Sequence, residues 1–305
     1  MRVLYAVLLA AAAVAAPQVV PLGLDVHMPV PDDNPLTPAK VKLGRLLFHD
    51  RRLSRDGSLS CASCHDPERA FTDGRAVAQG VDGKQGTRNA PTLINRGYGA
   101  SHFWDGRAPA LEKQVLEPIF NPVEMALTPA GLETRTKLTA AEIARALASY
   151  VRTIRSGDSR FDRHLYGETG ALTRPEQKGL DLFSSTANCW VCHTGSNFSD
   201  EQFHNTGIAW RGGRLLDVGR FAVTGAASDR GAFKTPTLRE IARTAPYMHD
   251  GSLATLEEVV DYYNRGGNHN PGLHGAVRPL HLAPEDKRAL VAFLRSLTGR
   301  IQEGW

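Results

Sequence analysis

The sequence predicts a mainly α-helical protein made of two similar domains with long connecting loops. Three observations lead to this prediction. The pattern C-x-x-C-H occurs twice, an amphipathic run with a proline near its start precedes each copy, and a second amphipathic run follows each copy. With 305 residues the chain is long enough for two ordinary domains, each with its own core.

The opening helix of each half is predicted from a threonine cap, a proline in the first turn and an apolar stripe. In the first half Thr37 precedes Pro38, and the apolar positions are Val41, Leu43, Leu46, Leu47 and Phe48. In the second half Thr173 precedes Pro175, and the apolar positions are Leu180, Leu182 and Phe183. Both threonines are expected to be N-caps.

The closing helix of each half is predicted from a stripe of helical period. One run covers residues 139–154, with Ile143, Leu147, Tyr150, Val151 and Ile154 on one face. The other covers residues 284–297, with Leu290, Phe293, Leu294 and Leu297. Between the halves, Gly167–Leu172 lacks apolar periodicity. We therefore expect a first domain over residues 16–168 and a second over residues 169–305.

The two C-x-x-C-H copies use all four cysteines of the chain. They are Cys61-Ala-Ser-Cys64-His65 and Cys189-Trp-Val-Cys192-His193. In this pattern the two thiols form thioethers with the haem vinyl groups, and the adjoining histidine ligates the iron. The sequence therefore predicts two covalently bound c-type haems. An opening helix, the motif and a closing helix form the plan of a cytochrome c domain.

Two other uses of paired cysteines fit the sequence less well. The pairs of a zinc ribbon usually lie about 15–20 residues apart, whereas these are separated by most of a domain. A thioredoxin-like motif requires a βαβ setting and leaves a histidine after both pairs unexplained.

The N-terminal residues 1–15 resemble a secretory signal peptide. Residues 3–16 are apolar and alanine-rich, follow Arg2, and are too few for a membrane span of about 20 residues, which disfavours an uncleaved anchor. Ala13-Val14-Ala15 offers a cleavage site. We therefore expect a periplasmic protein without a membrane anchor after cleavage, which suits haem attachment outside the cytoplasm.

Charge provides no indication of a nucleic-acid partner. The formal net charge is +4, and basic runs with interleaved aromatic residues are absent from the sequence. Four haem propionates would bring the mature protein close to neutrality.

Several longer segments fall in the order of one known family. The first half contains Arg88-Asn89-Ala90-Pro91-Thr92-Leu93, Phe103-Trp104-Asp105-Gly106-Arg107-Ala108 and Pro122-Val123-Glu124-Met125. The second contains Phe203-His204-Asn205-Thr206-Gly207, Phe233-Lys234-Thr235-Pro236-Thr237-Leu238-Arg239 and Ala245-Pro246-Tyr247-Met248-His249-Asp250-Gly251. In these segments the chain resembles the bacterial di-haem cytochrome c peroxidases, the family that includes MauG.

The resemblance implies roles for residues around the first haem. Glu124 matches the family's distal glutamate, which exchanges protons with peroxide, and Gln114 and Pro118 are expected to line the same pocket. Trp104 matches the tryptophan between the two haems. Asn89 with the carbonyl groups of Thr244 and Pro246 matches an inter-domain Ca²⁺ site, and all three supply oxygen.

Ligand identity at the second haem indicates the subtype. Typical members use methionine at the position occupied here by Tyr263, and MauG uses tyrosine. The apolar stripe of this helix includes Tyr263 rather than Tyr262, and Met248 is the competing ligand. A histidine that closes the first haem in many members has no counterpart within residues 66–88. The first haem is therefore expected to be open at rest.

The resemblance implies a periplasmic enzyme that activates hydrogen peroxide and oxidises a protein partner. The oxidised group is expected to be an amino-acid side chain, as in MauG and the related MbnH proteins. One alternative is a cytochrome c peroxidase that reduces peroxide with electrons from a small cytochrome or cupredoxin. The other is a non-catalytic di-haem electron carrier. An oxygen ligand at Tyr263 favours higher oxidation states and therefore the first function.

Overall fold

The computed structural model describes residues 19–305, so the predicted signal peptide lies outside the described residues. The helices are α1 (Pro38–Phe48), α2 (Cys61–Cys64), α3 (Leu111–Gln114), α4 (Glu117–Phe120), α5 (Pro129–Thr136), α6 (Ala140–Val151), α7 (Arg160–Leu165), α8 (Arg174–Ser184), α9 (Phe221–Thr224), α10 (Leu256–Asn264) and α11 (Pro284–Ser296). The strands are β1 (Arg155–Gly157), β2 (Phe203–His204), β3 (Trp210–Arg211), β4 (Arg214–Leu215), β5 (Phe233–Lys234) and β6 (Arg300–Gln302). Within this part of the chain, no helix is long and apolar enough to cross a membrane.

The opening and closing helices pack in pairs, α1 with α6 and α8 with α11. Glycine permits the same close crossing in both pairs. A Cβ atom at Gly44 would lie 2.0 Å from the Ala146 carbonyl oxygen, and one at Gly179 would lie 2.0 Å from that of Ala289. The Thr37 hydroxyl caps α1 by accepting from the Lys40 amide at 3.4 Å. The fold therefore has two cytochrome c-like domains, as expected.

Each helix pair supports its own hydrophobic core. Phe48, Ile143 and Tyr150 are buried in the first core, and Phe183 and Phe293 are buried in the second. The chain connects the cores in two places. Phe161 of α7 packs in the second core, and β6, near the C-terminus, pairs antiparallel with β1 of the first half. These crossings hold the two halves together.

A gapless internal repeat relates residues 88–118 to residues 233–263 with an offset of 145 positions. The backbone has positive φ at both members of the pairs Asn95 and Glu240, Phe103 and Met248, and Gly106 and Gly251. Short antiparallel bridges also match, His102 with Ala108 and Tyr247 with Leu253. Because positive φ is uncommon for residues other than glycine, this coincidence indicates the same turn built twice.

Candidate functional site

One continuous cavity of about 760 Å³ lies between the domains. Its wall includes the cysteines and histidine of both C-x-x-C-H motifs. It also includes the predicted site residues Asn89, Trp104, Gln114, Pro118, Glu124, Thr244, Pro246, Met248 and Tyr263. The structure therefore brings every site residue predicted from the sequence to one cavity.

The two motif histidines have the same arrangement. His65 Nδ1 lies 3.1 Å from the Phe71 carbonyl oxygen, and His193 Nδ1 lies 2.9 Å from that of Phe198. A Nδ1–H donor to a carbonyl leaves Nε2 as the atom available for a metal. Burial lowers the pKa of both imidazoles, which favours the neutral, ligating form.

The four cysteines suit thioether bonds. None of them forms a disulfide, and burial raises the pKa of the Cys61 and Cys189 thiols to about 12. A neutral thioether costs less in such surroundings than a thiolate. Within residues 19–305, the one group of three potential metal ligands is Cys192, His204 and His274, which does not unite the two cysteine pairs. The donor set therefore fits two haems rather than a zinc ribbon.

Glu124 is held by a neighbour that the sequence analysis missed. The Asn121 side-chain amide donates to Glu124 Oε1 at 2.7 Å. Burial raises the pKa of Glu124, while this hydrogen bond and Arg107 lower it. Asn121 and Glu124 are three residues apart in a non-helical turn, and this spacing could have indicated the contact from the sequence. One carboxylate oxygen is thus fixed, which leaves the other for exchange of a proton.

Backbone packing fixes the turn that carries Glu124. The Val81 amide donates to the Glu124 carbonyl at 2.8 Å. A Cβ atom at Gly80 would lie 1.8 Å from the Val123 carbonyl oxygen, so glycine is required for this close approach. The loop around Val81 and the Glu124 turn are therefore held as one unit.

Trp104 lies at a reciprocal contact between the domains. Its indole Nε1 donates to the Asn89 carbonyl at 2.9 Å, and its own carbonyl accepts from the Lys234 amide at 2.8 Å. The equivalent contact joins the Asn89 amide to the His249 carbonyl at 2.7 Å. Under the repeat, Lys234 is equivalent to Asn89 and His249 to Trp104. The indole is therefore held by Asn89 of its own half, and the Trp104 backbone is held by Lys234 of the other.

The structure separates the two tyrosines of α10. Tyr262 is buried, and its hydroxyl donates to the Thr206 carbonyl at 2.9 Å. Tyr263 instead lines the cavity, close enough to Cys189 and Cys192 for their charges to affect its pKa, which burial raises. Met248 also lines the cavity. The helical stripe thus predicted the correct tyrosine on the cavity side.

The repeat places Tyr263 at the position equivalent to Pro118. A buried leucine and a buried valine precede each of these two residues. They are Leu111 and Val115 in the first half, and Leu256 and Val260 in the second. In the first half this segment forms two short helices, α3 and α4, and Pro118 lies in the first turn of α4. In the second half the equivalent segment forms the continuous helix α10. Proline has no group that can ligate iron, whereas tyrosine has an oxygen. The two halves therefore differ in ligand chemistry at one equivalent position.

The three candidate calcium ligands lie on the cavity wall at the domain interface. The Asn89 amide nitrogen donates to the Arg75 carbonyl at 2.6 Å, which leaves its oxygen for a cation. Asn89 is buried, and Thr244 and Pro246 are half-buried. The oxygen donors fit a hard cation such as Ca²⁺.

A charged network beside this interface was also missed. Arg88 donates to both carboxylate oxygens of Asp217, at 2.8 and 2.9 Å, and to Asp105 at 2.6 Å. Arg88 and Asp105 line the cavity. Asp217 belongs to the other half, far away in sequence, so no local pattern could predict this contact. The network connects the two halves beside Trp104.

Comparison with known proteins agrees with this geometry. The sequence profile of the di-haem cytochrome c peroxidases matches residues 38–170, and that of cytochrome c matches residues 176–298. The methylamine utilization protein MauG of Methylorubrum extorquens is 38% identical over 88% of this chain and 81% of its own length. Cytochrome c551 peroxidase of Nitrosomonas europaea is 35% identical over 85% of this chain and 79% of its own length.

Solved structures share the fold. A MauG-like protein associated with microbial copper homeostasis superposes with a TM-score of 0.83 and 36% identity, covering 94% of this chain and 95% of that one. The di-haem peroxidase BthA of Burkholderia thailandensis has a TM-score of 0.72 and 27% identity, with 87% of each chain covered. The chain therefore belongs to the di-haem cytochrome c peroxidase and MauG family of peroxidase-type oxidoreductases, which implies covalently bound haem c.

Proposed function

We propose that this chain is a periplasmic enzyme that activates hydrogen peroxide at the His65 haem and oxidises a protein partner at an amino-acid side chain. The observation that carries the proposal is the equivalence of Pro118 and Tyr263. One half has a residue that cannot ligate at this position, and the other has an oxygen donor. Such an enzyme needs one haem iron with a free coordination site for peroxide and a second haem iron with both axial sites filled, which stores oxidising equivalents. This requires the asymmetry between the halves.

Glu124 handles the protons of the peroxide. Bound haem supplies iron at which the O–O bond is cleaved and the oxidising equivalents are held. The free carboxylate oxygen of Glu124 accepts the proton of one peroxide oxygen and returns it to the other, which leaves as water. Asn121 keeps the carboxylate oriented throughout. Gln114 and Pro118 line the same cavity as Glu124.

The second half has residues that would suit storage of the oxidising equivalents. Trp104 lies between the halves with its hydrogen bonds to Asn89 and Lys234, so its indole provides a fixed aromatic path. With haem bound, Tyr263 would supply an oxygen ligand that favours the oxidised iron. Asn89, Thr244 and Pro246 bind Ca²⁺ at this interface and hold the two halves in register.

A second function has support in the relatives. Cytochrome c peroxidases of Nitrosomonas europaea and Escherichia coli are 35% and 36% identical to this chain. A peroxidase of that kind would take electrons from a small cytochrome or cupredoxin. A plain electron carrier is disfavoured because it has no use for a half-buried acid with a raised pKa such as Glu124.

Stopped-flow mixing of the diferric protein with hydrogen peroxide tests the proposal. Reaction without pre-reduction and slow turnover with a reduced small cytochrome c are expected. Dependence on pre-reduction together with fast turnover would indicate the cytochrome c peroxidase, and no peroxide reaction in either state would indicate a carrier. Peptide mass mapping of a periplasmic extract, treated with peroxide and either wild-type or Glu124→Gln protein, then tests oxidation of a protein side chain.

A further inference from the structure

A buried group of charged side chains, not used in the proposed chemistry, lies where the domains meet. It consists of Arg96 and His102 from the first half and Glu201 and Lys234 from the second. The side chains of Arg96 and Lys234 are each 9% exposed, and that of Glu201 is 14% exposed. Arg96, His102 and Lys234 also line the cavity shared by the two C-x-x-C-H motifs.

The charges of this group do not balance. Arg96 donates to both Glu201 oxygens, at 2.8 and 3.0 Å, and so occupies the carboxylate. Lys234 Nζ pairs with Glu201 Oε2 at 3.6 Å, a long contact to a carboxylate that Arg96 already occupies, and no other acceptor for it lies within hydrogen-bonding distance among residues 19–305. Burial, followed by the charge of Arg96, lowers the pKa of His102 to about 3, so this imidazole is neutral. Two cations therefore share one anion.

A buried ammonium group whose single partner is distant and shared with another cation is unfavourable. Burial and the neighbouring Arg96 lower the pKa of Lys234 to about 7. An anion entering from the cavity would provide Lys234 with an acceptor of its own and restore the charged form. Each haem carries two propionate carboxylates, and the cysteines hold both haems in this cavity.

The internal repeat gives independent support. Lys234 is equivalent to Asn89, and Ser101 is equivalent to Pro246, two of the candidate calcium ligands. On the Lys234 side, Arg96 Nη2 donates to the Ser101 carbonyl at 2.8 Å, so a guanidinium group binds the carbonyl equivalent to that of Pro246. Side-chain cations thus occupy the position at which the other side of the interface offers oxygen ligands to a metal ion.

We propose that Lys234, supported by Arg96, forms an ion pair with a propionate carboxylate of one haem. The pair neutralises one propionate charge at the domain interface and holds the edge of that haem against the second half. This inference depends on the covalent haems that the family implies. It does not depend on the peroxide or partner chemistry proposed above.

Lys234→Met tests the ion pair because methionine is unbranched and nearly as long as lysine but carries no charge. We expect two haems per chain, but a shifted propionate-bending band in the resonance Raman spectrum of one haem. We also expect the ferric-to-ferrous ratio of that haem to rise about tenfold at a fixed electrode potential, which is a potential lower by about 59 mV. Lys234→Arg should restore both. Lys178→Met, on the exposed face of α8 beside Asp286, is the matched control.

The opposite results would overturn the proposal. Unchanged Raman bands and potentials in Lys234→Met would make Lys234 only the partner of Glu201 across the interface. If Lys234→Met does not accumulate with two haems, Glu201→Gln provides the second test. Removing the competing carboxylate should strengthen the lysine–propionate pair, shift the same band in the opposite direction and raise the potential. No change of the band in Glu201→Gln would equally refute the ion pair.

Discussion

Glu124→Gln should abolish rapid peroxide activation while leaving the fold and both haems intact. The substitution retains the length and shape of the side chain. Asn121 can still donate to the remaining carbonyl oxygen, at the position of the present 2.7 Å hydrogen bond. Only the other oxygen changes, from a proton acceptor to an amide NH₂ group. The variant therefore removes proton exchange and little else.

The expected loss follows from the usual contribution of a positioned acid–base group. That contribution is about 10²–10⁴-fold in rate, or about 2.7–5.4 kcal/mol in the activation barrier. The wild-type rate should also fall with decreasing pH. Burial raises the pKa of Glu124, and the base form is lost as the pH falls through this raised value. The Gln variant should lack this acid limb.

Stopped-flow spectroscopy of the diferric protein measures both effects. Glu117→Gln is the matched control because Glu117 is 40% exposed, pairs with Arg107 at 2.8 Å and lies outside the cavity wall. Its rate should remain within a few-fold of wild type. Its acid limb should move slightly to lower pH, because the Glu117 charge raises the pKa of Glu124. A wild-type rate in Glu124→Gln, with unchanged haem spectra, would refute the role of Glu124.

Three further predictions concern the haems and the interface. Denatured protein from a host competent in cytochrome c maturation should retain the mass of two haems, and a mass without haem would exclude thioethers at the four cysteines. Tyr263→His should keep a six-coordinate low-spin haem and raise its potential. The control Tyr262→Phe should lose about 1 kcal/mol of stability without a change in potential, because it removes only one hydrogen bond. An unchanged potential in Tyr263→His would favour Met248 as the ligand. EGTA should change the haem spectra reversibly in wild type but not in Asn89→Leu, and equal responses would exclude Asn89 as a calcium ligand.

The elements that follow from local sequence were predictable. Thr37 caps α1 as expected, and both helix pairs form from stripes of helical period. The choice of Tyr263 over Tyr262 for the cavity side also followed from such a stripe. These features depend on residues a few positions apart, for which helical geometry determines the relative direction of the side chains.

The resemblance brought together residues that local patterns could not connect. Asn89 and Pro246 are separated by about half of the chain, and their meeting on one cavity wall depends on how the halves pack. Their binding of Ca²⁺ remains a prediction, as do the roles of Glu124 and Trp104.

Haem attachment and the two-domain plan were determined by the sequence itself, because C-x-x-C-H and the helical stripes are local codes. Tertiary structure alone decided the contacts between halves. Arg96 reaches Glu201, Arg88 reaches Asp217, and Lys234 approaches the same Glu201 carboxylate at 3.6 Å. Such contacts join positions more than 100 residues apart, so their geometry depends on domain packing, which no short pattern in the chain specifies.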